Sequence, residues 1–89
     1  MACKALAKPV QFPRSTEDVE QDYKACLDSV AVIDRVEAIA SADRNDDDID
    51  DVRRNAEHLE LYAPLTDWGD KNLTPLTDAI TLGNAILQS

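Results

Sequence analysis

From Val19 onward the apolar residues return at alternating steps of four and three: Val19, Tyr23, Cys26, Val30, Ile33 and Ala40, with Glu37 as the single break. That rhythm belongs to one face of an α-helix, where residues three and four apart share a side. Leu27, Val36 and Ile39 widen the stripe, so the segment needs another element to cover it. Ser15 and Thr16 precede Glu17 and Asp18, a hydroxyl cap followed by acids that suit the positive end of a helix dipole. The spacing predicts a helix over about residues 16–41, roughly 38 Å long at about 1.5 Å per residue.

The polar stretch from Ser41 to Asp48 interrupts the stripe, and a second one follows through Ile49, Val52, Ala56, Leu59 and Ala63. Pro64 closes it, giving a helix over about 47–63. The link is short enough to return the second helix antiparallel to the first. Leu65–Leu73 reads as a turn-rich connector containing Trp68-Gly69. Thr74 as cap and Pro75 at the first helical position then open a third helix, over about 75–88. Its stripe is Leu76, Ile80, Gly83 and Leu87, joined by Ala79 and Ile86, and Gly83 marks a close approach to another helix. The expected fold is all-α: a long antiparallel helical hairpin with a short third helix laid across its open end.

Ahead of this helical domain (residues 15–89) stands an extended, basic N-terminal arm, residues 1–14. Pro9 and Pro13 remove backbone donors and push the residues before them toward extended geometry, which points Val10 and Phe12 to the same side. The arm carries Lys4, Lys8 and Arg14 and no acid, whereas the rest of the chain sets 18 acids against the remaining bases, for a net charge of −9 overall. A body so acidic repels phosphate backbones and anionic lipid, which argues against direct nucleic-acid or membrane binding. No apolar run approaches the roughly 20 residues that span a bilayer, and the N-terminus lacks the apolar segment of a secretory signal, so a cytoplasmic location is expected. Cys3 and Cys26 are too few for a disulfide framework.

The chemical constellations are thin. Asp46, Asp47, Asp48, Asp50 and Asp51 suggest a calcium loop, but counting from Asp43 the sixth position is Asp48 rather than glycine and the twelfth is Arg54 rather than a bidentate acid. A helix start with a solvated acidic turn is the better reading. His58 is the only histidine; Glu57 and Glu60 stand one and two positions away and do not share its helix face. Cys26 sits on the apolar stripe as a small core residue, and Cys3 has only Lys4 beside it to favour a thiolate. No Gly-rich phosphate loop or Ser/His/Asp arrangement is present, so the chain is expected not to be an enzyme and to need no cofactor or metal. Trp68 is either a lid on the hairpin's open end or, with Tyr62, an interface anchor, since aromatics dominate binding hot spots.

Arg54-Asn55, His58-Leu59, Asp67-Trp68, Asp70, Leu73-Thr74-Pro75-Leu76 and Ala79-Ile80 together resemble a pattern in short bacteriophage-encoded helical proteins, over roughly residues 54–83. The resemblance implies a viral origin, with a place in portal, tail or capsid assemblies; the chain would then occupy the host cytoplasm during assembly and afterwards the virion. On that reading it is a structural or assembly protein that packs helix faces against other structural subunits, including copies of itself, and docks its N-terminal arm onto an adjacent acidic subunit through Val10 and Phe12, with Lys4, Lys8 and Arg14 as electrostatic guides and no small-molecule substrate. Its partner-binding residues would be Lys4, Lys8, Val10, Phe12, Arg14, Tyr62 and Trp68. The other reading makes it an acidic inhibitor that covers a basic nucleic-acid-binding surface of a host or defence protein.

Overall fold

The computed structural model describes residues 14–88, which form three α-helices: α1 (Thr16–Glu37), α2 (Asp46–Tyr62) and α3 (Thr74–Gln88). The expected all-α hairpin with a third helix is what these residues build. The arm ahead of Arg14 lies outside the described residues, and with it Cys3, Lys4, Lys8, Val10 and Phe12.

Both hairpin helices start on reciprocal caps. The Asp18 N–H donates to Ser15 Oγ at 3.0 Å, and the Ser15 N–H donates to the Asp18 carboxylate at 3.4 Å. At α2 the Asp48 N–H donates to Asn45 Oδ1 at 2.8 Å, and the Asn45 N–H to Asp48 Oδ2 at 3.1 Å. Each cap satisfies two groups that a helix start would otherwise leave orphaned. The acids of both first turns therefore serve the backbone and the dipole before any partner.

α1 stops at Glu37, about one turn short of the expected end near residue 41. No glycine follows the helix; instead the Arg44 guanidinium reaches back to the carbonyls at and just past its end, of which Val36 O also accepts from the Ile39 N–H. Nε donates to Val36 O at 3.1 Å and Ile39 O at 3.0 Å, and a terminal nitrogen donates to Glu37 O at 3.2 Å. A 3-10 turn over Ser41–Asp43 then carries the chain round to Asn45. α2 ends before Pro64, whose ring nitrogen has no hydrogen to continue the ladder. At α3, Thr74 is the first helical residue rather than the cap, and its N–H donates to Asn72 Oδ1 at 3.1 Å.

The third helix corrects one expectation. A Cβ on Gly83 would lie 3.3 Å from Ala56 Cβ, 3.4 Å from Ile33 Cδ1 and 3.6 Å from Val52 Cγ1. Ile33 and Val52 flank the hairpin's closed end, so α3 runs lengthwise down the groove between α1 and α2 rather than across the open end. The reason is its stripe: Leu76, Ala79, Gly83 and Ile86 are buried over its whole length, which a crossing at one end would not achieve. Ile33, Val36, Val52, Leu59 and Leu76 fill the centre with no exposed surface, each worth about 1.5–3 kcal/mol of burial. Cys26 joins them, as its place on the stripe requires.

Candidate interaction surfaces

The open end of the bundle is closed by polar groups as well as by Trp68. Arg14 reaches between the connector and α1: Nε donates to Asp67 Oδ2 at 2.8 Å, one terminal nitrogen to Asp22 Oδ2 at 2.8 Å, and the other to Asp67 Oδ1. Its guanidinium carbon lies 4.4 Å from the centre of the Trp68 ring, and only 3% of its side chain is exposed. A planar guanidinium suits this site because it grips one carboxylate with two parallel bonds while stacking on an aromatic face. The hydrogen bonds to Asp67 raise the Arg14 pKa, and in return Arg14 holds the Asp67 carboxyl below the usual aspartate value.

Trp68 is buried, and its indole N–H donates at 3.0 Å to Tyr62 O, the carbonyl at the end of α2 that also accepts from the Leu65 N–H. Tyr23 meets it edge-on with ring centres 6.0 Å apart, and the Tyr23 hydroxyl donates to Asn72 O at 2.7 Å. Lys71 sits 5.4 Å from the Tyr23 ring and pairs with Glu20. Of the residues expected to meet a partner, Arg14, Tyr62 and Trp68 are thus consumed by the chain itself. Trp68 is the lid of the two readings offered for it, and Arg14 is its clamp rather than a free electrostatic guide. Lys4, Lys8, Val10 and Phe12 lie outside the described residues.

Halfway along the hairpin, Ser29 Oγ lies 2.7 Å from His58 Nδ1, and Tyr62 presents an edge to the imidazole with ring centres 4.9 Å apart. Ser29 is 2% exposed and His58 5%. Burial lowers the His58 pKa against a smaller opposing pull from Asp22, so the ring is neutral at pH 7. A neutral imidazole hydrogen-bonded to a hydroxyl is the first half of a nucleophile–base pair, but catalysis also needs substrate to reach the hydroxyl. Here Ser29 is enclosed between α1 and α2, and the pair ties the two helices together. Sequence reasoning missed it by treating His58 through its neighbours Glu57 and Glu60, both exposed. The signal was the hairpin's register: Arg35 pairs with Asp51 across the same seam, and Ser29, six residues back along α1, meets His58, seven residues on along α2. Nearby, burial pushes the Cys26 thiol up to about 12, which makes it an inert packing group.

The aspartate run is the N-terminal turn of α2 and is partly neutralised. Arg35 contacts Asp48 at 3.4 Å and Asp51 at 3.1 Å; Arg53 pairs with Asp50, and Arg54 with Asp50 and Asp51. Among the described residues no group of three His, Cys, Asp or Glu side chains is arranged to hold a metal ion. Outside these pairs the acids accumulate. α1 carries seven acids against two bases, α2 carries the same, and α3 has a single charged residue, Asp78. Among the described residues no ion pair reaches Asp28, Asp34 or Glu37 on α1, or Asp46, Asp47, Glu57 or Glu60 on α2, and all seven are exposed. The only large exposed apolar groups among the described residues are Leu27 and Leu61, 37% and 41% exposed, on the same two helices. No described helix is long and apolar enough to cross a membrane. No family model, no curated protein and no solved structure matches the chain.

Proposed function

We propose that this chain is a non-enzymatic binding protein whose acidic outer surfaces, carried by α1 and α2, occupy a basic surface of another macromolecule. The observation that carries the reading is the concentration of unpaired, exposed carboxylates on two helices whose groups of chemical interest, His58, Ser29 and Cys26, are enclosed. A surface of this kind attracts a positively charged partner over a distance set by ionic strength and repels nucleic acid itself. A protein surface built to hold nucleic acid offers the matching charge, so the chain acts as an inhibitor by occupying it.

Binding of this type weakens with salt, through its association rate above all. The test is a titration of the full chain against a purified nucleic-acid-binding protein with a basic groove, read as displacement of a labelled oligonucleotide. Displacement at about 0.05 M salt that fades by about 0.5 M supports the reading. The double variant Glu57→Gln/Glu60→Gln then displaces less, whereas Asp78→Asn does not change it. No displacement at low salt from any of a panel of basic proteins removes the proposal.

A bacteriophage structural or assembly subunit is the second reading. It is favoured by the one charge-poor helix, α3, which lets a structural neighbour lie against the chain without electrostatic repulsion. Its test is mass spectrometry of purified particles, where finding the chain in fixed ratio to the known structural proteins supports it.

A further inference from the structure

Arg14 is the first described residue and also lines a cleft of about 260 Å³ at the open end of the bundle. Val19 of α1 and Trp68 give this cleft its apolar side, and Glu20, Asp70 and Lys71 line it with charge. Gly69 borders it without a side chain, and a Cβ added there would meet nothing within 4 Å. The cations of the cleft are already engaged, Arg14 with Asp22 and Asp67, and Lys71 with Glu20. Asp70 is exposed and among the described residues joins no ion pair, so a free carboxylate stands beside the apolar side. Covalent geometry then decides what reaches the cleft first. Two peptide units hold the Phe12 Cα within about 7.6 Å of the Arg14 Cα. Pro13 favours extended backbone at Phe12, and along an extended segment Val10 shares the side of Phe12 while Gln11 takes the other. Lys4 and Lys8 lie further back on the same basic segment, which contains no acid.

We propose that this cleft is the seat of the chain's own N-terminal arm, with the Phe12 ring against Val19 and Trp68 and the arm's lysines drawn to Asp70. The occupant follows from the tether. A segment held this closely acts at an effective concentration of about 1 mM or more, which a second copy or a separate protein in dilute solution does not match. Charge selects the same occupant, since the basic arm complements the one unpaired acid of the cleft and the acidic body of another copy does not. Covering the cleft also takes water away from the Arg14–Asp67 pair, and a charged hydrogen bond strengthens as its surroundings become less polar. Site and occupant belong to one chain, so the proposal goes beyond the acidic-surface reading and holds whether or not α1 and α2 seat a basic partner.

A photoreactive benzophenone analogue of phenylalanine at position 12 of the full chain tests the occupant directly. The chain is mixed with an equal amount of heavy-isotope-labelled chain carrying the same analogue, irradiated, and read by peptide mass spectrometry. The expected product is a cross-link within one chain, from position 12 to residues 16–20 or 67–71, with no mixed-mass pairs. Mixed-mass pairs put the arm on a neighbouring copy and overturn the proposal, as do links to any other segment or no link at all. Trp68 is the only tryptophan, so its fluorescence reports the same contact without a reactive group. Phe12→Ser shifts the Trp68 emission to the red and makes it easier to quench with acrylamide, whereas Gln11→Ser does neither. Both positions stand ahead of α1, and circular dichroism is expected to show wild-type helical content in both variants. The cross-link decides the matter if Phe12→Ser loses helix. Equal quenching of the wild type and Phe12→Ser, or of the two variants, also overturns the proposal.

Discussion

His58 makes folding respond to pH in a window that no other shifted group shares. Its folded pKa lies below the ordinary 6.5, so on acidification the unfolded chain takes up this proton first. The unfolded state then binds more protons than the folded one, and stability falls as pH falls. The contribution is complete above about pH 6.5 and is lost as the pH drops through that value toward the folded pKa. Asp67 acts lower down: its depressed pKa keeps its contribution whole above the ordinary 3.8, and the loss comes below that. Cys26 acts at the other extreme, where the thiol held up to about 12 withdraws stability as pH rises beyond 9.0. Urea unfolding between pH 7 and pH 5 is expected to show the wild type losing stability. His58→Asn, which keeps a polar atom where Nδ1 meets Ser29, is expected to flatten that slope and leave the fall below pH 3.8 in place. An unchanged slope between pH 7 and 5 would mean that the imidazole is not its source. Arg14 is the other residue whose role the sequence concealed. A basic residue directly after a proline reads as part of a tail, and nothing local reveals that Asp67 and Trp68, more than fifty residues on, come round to receive it.

At the scale of the element, the parts of the fold written in local chemistry were legible and the parts made by distant groups were not. Ser15 with Asp18 and Pro64 behind α2 act within a few residues, so the starts of α1 and α2 and the end of α2 could be read directly. Asn45 with Asp48 is of the same local kind. The end of α1 could not be read so, because its stripe continues through Ile39 and Ala40 while Arg44 takes the last carbonyls from five to eight residues away. Arg44→Ala leaves Glu37 O and Ile39 O to water, while Val36 O keeps the Ile39 N–H, and is expected to cost about 1 kcal/mol, with faster amide exchange through residues 36–43. Protection unchanged there would show that the turn holds itself without the guanidinium. Gly83 tests the packing of α3 in the same way. Replacing a helical glycine by alanine ordinarily gains about 1 kcal/mol in propensity. Here the new methyl group meets Ala56 Cβ at 3.3 Å, a neighbour fixed to its own backbone that cannot swing aside. Overpacking of this sort costs about 1–3 kcal/mol, so Gly83→Ala is expected to be neutral to destabilising and Gly83→Leu to expel α3 from the groove. A clear gain in urea midpoint for Gly83→Ala would place α3 farther from α2 than the structure does. Gly69 makes the useful contrast: nothing lies within 4 Å of an added Cβ, but its φ of +69° gives Gly69→Ala a backbone cost of about 1 kcal/mol.

Over the whole molecule, charge and fold pull against each other. Hydrophobic closure gathers 18 acids onto a body of three short helices, and the pairs made by Arg14, Arg35, Arg53, Arg54 and Lys71 leave most of the exposed carboxylates unmatched. The sign of this excess was plain from the sequence. Its location was not, because deciding which acids remain free required knowing that Asp22 and Asp67 face inward to Arg14 while Glu57 and Glu60 face out. Glu57 and Glu60 stand three apart on α2, where like charges oppose the helix by about 0.2–0.5 kcal/mol. Neutralising one of them should therefore stabilise the chain, against the usual trend for substitution. Glu60→Gln is expected to raise the thermal midpoint at about 0.01 M salt and to lose that advantage at about 1 M, where screening does the same work for the wild type. A partner that binds only the folded chain adds stability by mass action, so a basic protein seated on α1 and α2 should raise the wild-type midpoint at low salt and raise that of Glu60→Gln less. The two measurements move in opposite directions for one substitution: the carboxylate that strains the free molecule is the one that holds the partner. If Glu60→Gln leaves both midpoints where they were, the outward face of α2 is merely solvated, and the acidic surface loses its claim to a function.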